Sequence, residues 1–507
     1  MDSLGHLAQG FVVAAKPINL LVALLGSFIG TVVGLLPGLG PINGVAILLP
    51  IAFAMKLPPE TALILLAAVY IGCEYGGRIS SILLNIPGDA GALMTALDGY
   101  PMAKNGLAGV ALSISAWSSF VGSVIATLGL ALFAPILAKW ALSFGPAEYF
   151  VLMVFAICCL AGMVGDRPVK TLIAALTGLL MSTVGIDAGS GVYRFTFGDV
   201  HLSDGIQFIV VVIGLFSVSE MLVMLEQSHA GQTVIKATGR AMFNLKEMAD
   251  TWWGTVRSSV IGFVIGVLPG AGATIASAIT YMVEKNLTDR EGTFGKGDVR
   301  GVAAPEAANN SAAHGAFIPM LTLGVPGSGT TAVMVGALTL YNITPGPLLF
   351  EQQPDLVWGL IASMFIGNVM LLVMNIPMVG LFARMLHVPN WLLVPAIAAV
   401  SFVGVYAVHA TTFDLVLMVA LGIVGWFLRK LGFPMAPLIL GFVLGDMMEQ
   451  NLRRALSISD GHPAILFQST VSITLWVLAA LVLVAPFLVR RWSARRAGKG
   501  GGSAIMG

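Results

Sequence analysis

Stretches of about 20 mostly apolar residues, the length that crosses the hydrocarbon core of a bilayer, recur along this whole chain. They lie near residues 18–36, 61–86, 107–137, 147–163, 168–185 and 206–225, and again near 255–283, 357–384, 391–410, 413–429 and 469–490. Shorter apolar pieces near 41–55, 313–324, 330–340 and 435–446 are too short to cross comfortably and read as half-helices or re-entrant turns. Only 10% of the 507 residues are charged, against roughly 25% in an ordinary soluble domain, so lipid is the solvent that suits this surface. The expectation is an all-α integral membrane protein with about 12 transmembrane helices. A net charge of +1 points to no acidic partner and to no nucleic acid.

Polar sequence divides the chain. Residues 1–226 form a first transmembrane half, 227–254 a polar linker, 255–489 a second half and 490–507 a basic tail. Arg490, Arg491, Arg495, Arg496 and Lys499 place that tail in the cytoplasm by the positive-inside rule. Basic residues also flank 255–283 on both sides, which fits a hairpin that enters and leaves on one face. Met1 to Leu20 has no basic patch before its apolar run and no clear cleavage site, so it reads as a mature start and not as a signal peptide. Cys73, Cys158 and Cys159 all sit in apolar runs and read as small buried hydrophobes without a structural disulfide.

The two halves repeat one another. Ile29 to Asn43 (IGTVVGLLPGLGPIN) matches Ile261 to Ile275 (IGFVIGVLPGAGATI) at about eight of fifteen positions. Downstream, Ile82 to Gly88 (ILLNIPG) aligns with Leu321 to Gly327 (LTLGVPG). The offsets, about 232 and about 239 residues, are similar and the order is kept, which argues for duplication. Repeated Gly/Pro-interrupted apolar segments are the sequence sign of a secondary transporter. A Pro-Gly pair stops a helix inside the bilayer. The freed main-chain groups then survive only where they line a polar cavity or pack in protein. Helix N-termini at such breaks suit a carboxylate, and unwound carbonyls suit Na⁺.

Candidate solute-binding residues follow: Gly38, Gly40 and Asn43 at the first break, Asn85 and Gly88 at the second, Gly270, Gly272 and Thr274 at the third, and Gly327, Ser328, Gly329, Thr330 and Thr331 at the fourth. The hydroxyls and amides serve equally well as ordinary helix caps. Candidates for a coupling ion are Asp89, Asn309, Asn310, Ser311 and His314. Ionisable groups inside a membrane are functional candidates, amide carbonyls suit Na⁺, and a histidine can carry a proton. Asp89 also fits a helix N-cap, His314 a packed core histidine, and the Asn pair a turn. Glu74 and Arg78 stand four apart and, on a helix, can pair; the alternative is Arg78 as a clamp on a substrate carboxylate, which its fork geometry suits.

The chain resembles the TctA family, the large transmembrane subunit of the tripartite tricarboxylate transporters, over nearly its whole length. Gly30–Pro41 (GTVVGLLPGLGP), Tyr75–Gly88, Ala96–Gly106, Gly266–Thr274, Ala304–Ala312 (APEAANNSA), Ile318–Val333 and Ile343–Phe350 carry the resemblance. It implies a cation-coupled symporter, driven by Na⁺ or H⁺, for citrate-like or other organic acid anions in a bacterial inner membrane. It also implies two partners, a small transmembrane subunit and a periplasmic solute-binding protein. Asp89-Ala90-Gly91-Ala92 departs from the small hydroxyl residues of some members.

Enzyme motifs fail. Gly324–Thr331 has the glycine spacing of a P-loop, but Thr330 stands where the lysine belongs, so the phosphates lose their charge partner. There is no Cys/His metal spacing, no nucleophile elbow and no cofactor fingerprint. The reading is of a non-enzymatic carrier without metal or cofactor. The competing readings are an anion channel built on the same breaks and an intramembrane hydrolase.

Overall fold

A computed structural model describes residues 3–163, 167–187, 189–226, 240–270, 272–386 and 388–484. The expected basic tail, most of the expected linker and the first two residues lie outside them. The fold is almost entirely helical. The chain begins with α1 (Ser3–Ala14), α2 (Pro17–Leu35), a break, α3 (Gly40–Ala54), α4 (Pro59–Leu84), a second break and α5 (Leu93–Met102). A kinked turn leads to α6 (Ala108–Ala141), then α7 (Pro146–Met163), α8 (Pro168–Ser182), the small hairpin β1 (Gly185–Ile186) and β2 (Tyr193–Arg194), α9 (Phe208–Val212) and α10 (Ser219–Glu226). Next come α11 (Leu245–Val267), a break, α12 (Gly272–Thr288), α13 (Val299–Gly315), α14 (Phe317–Leu323), a break and α15 (Gly329–Leu340). The chain closes through α16 (Leu349–Gln352), α17 (Pro354–Asn375), α18 (Val379–Met385), α19 (Asn390–His409), α20 (Thr412–Lys430), α21 (Met435–Ile458) and α22 (Thr470–Val484).

Seven helices among the described residues are long and apolar enough to cross a membrane, including α2, α4, α17, α19 and α20. The remaining apolar helices, α3, α7, α8, α15 and α22 among them, are shorter. Two elements differ from the hydropathy reading. The short piece expected at 435–446 continues to Ile458 as α21, because its charged last turns are met by partners outside the apolar core. Arg194 binds Glu449 at 2.7 Å, and Arg453 binds Asp187 at 2.8 Å. The stretch expected to begin near residue 255 starts at Leu245, where Asn244 and Glu247 close a capping box.

The centre is made by α4 and α13, which run antiparallel, with Glu74 beside Asn309 and Tyr70 beside Phe317. Every residue of α4 from Thr61 to Leu83 and every residue of α13 from Gly301 to Gly315 is buried. Against α4 lies α2. A Cβ on Gly30 or Gly34 would strike the backbone of Val69 or Cys73 at 2.3 and 2.1 Å. Against α13 lies α11, where a Cβ on Gly262 or Gly266 would strike Ala308 or Ala312 at 2.5 and 2.3 Å. Such small-residue seams let helices approach without hydrophobic driving force in lipid. The long α6 packs on α13, with Gly122 on Ala307.

Contacts fix the two ends. Asp98 of α5 holds the loop at Gly295 to Asp298, Gly109 packs on Arg240, and Gly432 packs beside Arg167 and Lys170. One end therefore gathers Lys104, Arg240, Lys285, Lys296, Arg300 and Lys430. The hairpin α11–α12 opens at this basic end. The hairpin α2–α3 opens at the opposite end, where Thr61 binds Asn19 and the Tyr341 hydroxyl reaches the Ala52 carbonyl.

Candidate functional site

The first and third breaks share one local shape. Leu36 leaves α2 in extended backbone with ψ 114°, and Leu268 leaves α11 with ψ 122°. Gly38 and Gly270 then take φ +92° and +79°, and Gly40 and Gly272 take +62° and +63°. These values suit glycine alone without strain, and the prolines ahead of them, Pro37 and Pro269, interrupt the helical ladder. The second and fourth breaks form a matching pair. α4 ends on Asn85 at φ 59° and α14 on Gly324 at φ 70°, both left-handed caps. After Pro87-Gly88, the Asp89 Oδ1 accepts from the Ala92 amide at 3.0 Å. After Pro326-Gly327, the Ser328 Oγ accepts from the Thr331 amide at 3.2 Å, and the Thr331 hydroxyl accepts from the Ser328 amide at 2.8 Å.

The breaks meet. A Cβ on Gly88 would lie 2.1 Å from the Gly34 carbonyl, and a Cβ on Gly40 would lie 3.9 Å from the Asp89 Cβ. The Gly270 amide donates to the Gly327 carbonyl at 2.9 Å. Across the centre, the Tyr70 hydroxyl stands 3.3 Å from the Ser328 hydroxyl, and Gly329 packs on Ile42. Gly88, Gly270, Gly327, Asn43, Thr330 and Thr331 are buried, Gly40, Gly272, Ser328, Gly329 and Asp89 are half-buried, and Gly38, Asn85 and Thr274 are exposed. The Asn43 side-chain amide donates back to the Leu39 carbonyl. The first-turn amides of α3, α12 and α15 have no intrahelical acceptors. They concentrate partial positive charge beside the breaks, which is what a carboxylate requires.

The expected coupling-ion residues separate into two groups. Asn309 lies at the breaks, its Nδ2 donating to Glu74 Oε2 at 2.9 Å and its side chain pressed on Gly91. Glu74 and Asp89 lie within hydrogen-bonding reach of each other. Asn310, Ser311 and His314 point elsewhere. Asn310 donates to Ser119 at 2.8 Å, Ser311 to the Ser259 carbonyl at 2.5 Å, and the His314 ring contacts the Asn310 carbonyl at 2.8 Å and the Asn368 amide at 3.3 Å. Glu74 and Arg78 do not pair. Arg78 instead stacks on Tyr75 with 4.5 Å to the ring centroid and donates to Ser119 at 3.1 Å. Ser119 in turn donates to Glu306 at 3.1 Å, and Thr95 does so at 2.5 Å.

The sequence reading passed over the Glu220–Arg429 ion pair, whose carboxylate lies against Gly38. Glu220 sits within the apolar run 206–225, and that placement was the available signal. A separate cavity of about 930 Å³ lies at the end opposite the basic face, lined by Asp187, Arg194, Thr339, Glu449 and Arg453. It meets the far end of α15, roughly 18 Å from Ser328 by helical rise. The Phe208 ring covers Gly336 there and stacks with Phe442 at 6.5 Å between centroids. Around this cavity, hydrogen bonds from Arg194 hold the Glu449 carboxyl below its usual range.

Known proteins resemble this chain along most of its length. The model of the tripartite tricarboxylate transporter TctA family matches residues 20–440. An uncharacterized 52.8 kDa protein of the TAR-I ttuC' 3' region of Agrobacterium vitis is 40% identical over 488 residues, covering 96% of this chain and 97% of that protein. An uncharacterized protein of the TAR-II ttuC' 3' region of the same organism is 44% identical over 227 residues, 45% of this chain and 94% of that one. No solved structure matches. With the family's pattern spanning most of its length, on a helical frame suited to a membrane, the chain belongs to the tripartite tricarboxylate transporter TctA family.

Proposed function

We propose that this chain is the large membrane subunit of a tripartite secondary transporter that imports tricarboxylates or related organic acid anions by cation symport across a bacterial inner membrane. A small transmembrane subunit and a periplasmic solute-binding protein complete the system. The observation that carries the reading is the meeting of four Gly/Pro breaks at the α4–α13 centre. Half-helix N-termini and unwound main chain gathered at one level are the solute site of a carrier. In this reading Gly38, Gly40, Gly272, Ser328 and Gly329 face the solute carboxylates, while Gly88, Gly270 and Gly327 let the backbones close up behind them.

Two inverted halves are part of the proposal. The α2–α3 hairpin enters from one face and the α11–α12 hairpin from the other, each beside the first part of a central helix that then breaks. The glycine seams Gly30/Gly34 and Gly262/Gly266, and their partners on α4 and α13, stand at the same offsets as the sequence repeat. The positive-inside rule puts the basic end in the cytoplasm. Counting from there gives about eleven crossings and two re-entrant hairpins.

The test is uptake of a panel of labelled di- and tricarboxylates into vesicles holding the chain with both partners, under an imposed Na⁺ or H⁺ gradient. Accumulation above the external concentration, lost when the gradient is collapsed, supports the carrier. Current without accumulation would make it an anion channel, and no movement of any carboxylate with all three subunits present would end the proposal.

A further inference from the structure

Building on that transport reading, we propose that Glu74 and Asp89 form a carboxyl pair that binds one proton between them, and that this proton is the coupling cation. Glu74 sits on α4 and Asp89 on the turn before α5, which is tied to α4 by the Gly88 amide donating to the Gly77 carbonyl at 3.3 Å. A Cβ on Gly77, three residues along α4 from Glu74, would lie 2.6 Å from Asp89 Oδ1, and the two side chains are within hydrogen-bonding reach. Glu74 is 2% exposed. Two ionised carboxylates at that separation repel in a poorly solvated site, and a single shared proton converts the repulsion into a hydrogen bond. Among the described residues neither carboxyl takes part in a salt bridge. The ionisable groups around it are Tyr70, Cys73 and Arg78 on α4 itself and Glu306 on α13. Arg78 is engaged by Ser119 and Tyr75.

A second observation comes from Asn309, which is fully buried. Its Nδ2 is on Glu74, whereas its Oδ1 has no partner and lies against Gly91 in the Asp89 turn. A buried amide oxygen left open at the junction of two carboxyl-bearing segments is an acceptor for a proton carried on either of them. The pair also adjoins the solute site, since Asp89 neighbours Gly40 and Tyr70 links the Glu74 face of α4 to Ser328. An anion at the breaks is repelled by the doubly ionised pair and tolerated by the protonated one. By reciprocity, each ligand then raises the affinity for the other.

Infrared spectroscopy of the purified full-length chain, with H⁺ and Na⁺ as the only ligands, tests the proposal without a solute. The expected result is a protonated-carboxyl band that shifts in D₂O, is lost in both Glu74→Gln and Asp89→Asn, persists in Glu306→Gln, and is unchanged when Na⁺ replaces choline at fixed pH. Survival of the band in both pair variants, its removal by Na⁺ in the unaltered chain, or its absence there at every pH would each overturn the proposal. The sodium and pH arms need no variant, so misfolding cannot mask the answer. A chain that shows the band but moves no carboxylate would sink the transport reading and leave the proton site standing.

Discussion

At the scale of single residues, what a side chain touches decides what its replacement costs. Ser328 caps α15 and is in turn bound by Thr331. Ser328→Ala is expected to remove about 1 kcal/mol of stability, measured as a lowered melting temperature in detergent, and to weaken carboxylate uptake more than the melting shift accounts for. Gly34 and Gly88 behave differently from Gly272. A Cβ on either of the first two strikes backbone at 2.1 Å, whereas a Cβ on Gly272 meets nothing within 4 Å and is opposed only by its φ. Gly34→Leu and Gly88→Leu should therefore reduce the amount of folded protein in the membrane, by overpacking that costs about 1–3 kcal/mol or more. Gly272→Ala should leave folded protein present and affect uptake alone. Arg78 presents a third case, since Ser119 relays it to Glu306 with all three side chains buried. Arg78→Leu strands that carboxylate and should cost about 3–5 kcal/mol, with the double change Arg78→Leu/Glu306→Leu recovering most of the loss. A double-change protein as unstable as the single one would refute the relay.

Among the elements, those that announced themselves in the sequence are the continuously apolar ones, whether lipid or, as for α4, protein surrounds them. Hydropathy located α2, α4, α6, α7, α8 and α20 to within a few residues, because their apolar content is what the bilayer selects. The Pro-Gly punctuation located all four breaks, since proline and glycine act on the backbone whatever surrounds them. Among the helices missed, with α1 and α5, was the central α13. Its sequence, VRGVAAPEAANNSAAHG, breaks its alanines with a glutamate, two asparagines and a histidine and so offers no apolar run, yet it is buried from Gly301 to Gly315, with Asn309, Asn310, Ser311 and His314 bonded to neighbouring helices or to the helix itself. The pairing of Glu74 with Arg78 failed for the same reason. Spacing along one helix says nothing about better partners on another, and Asn309 and Ser119 were those partners. The hairpin β1–β2 makes a different prediction. It is docked on α21 through Asp187 and Glu449. The Glu449 carboxyl is held low by hydrogen bonds from Arg194, so its contribution is complete above the unfolded carboxyl pKa of about 4.3 and is lost as pH falls through the lower folded value. Amide exchange in Gly185–Ile186 and Tyr193–Arg194, corrected for intrinsic rate, should stay flat from neutral pH down to about 5 and accelerate only below about 4. Loosening near neutrality would contradict that docking.

For the whole molecule, the proposed orientation rests on the basic end, which the positive-inside rule assigns to the cytoplasm. With the basic end inside, an impermeant maleimide should label Lys56→Cys in intact cells and Lys296→Cys only after permeabilisation. Equal labelling of both before permeabilisation would reverse or abolish the proposed orientation. One more consequence lies in α13. A segment with two asparagines, a glutamate and a histidine has little reason to leave the translocation channel for lipid by itself. Yet its seat is formed partly by α6, made long before it, and partly by α17, made after it, whose Asn368 meets His314. Biogenesis of this chain therefore has a waiting step. The keystone is synthesised before its arch is finished, and it must be sheltered by the earlier helices, or by an insertion chaperone, until the later ones arrive to lock it in place.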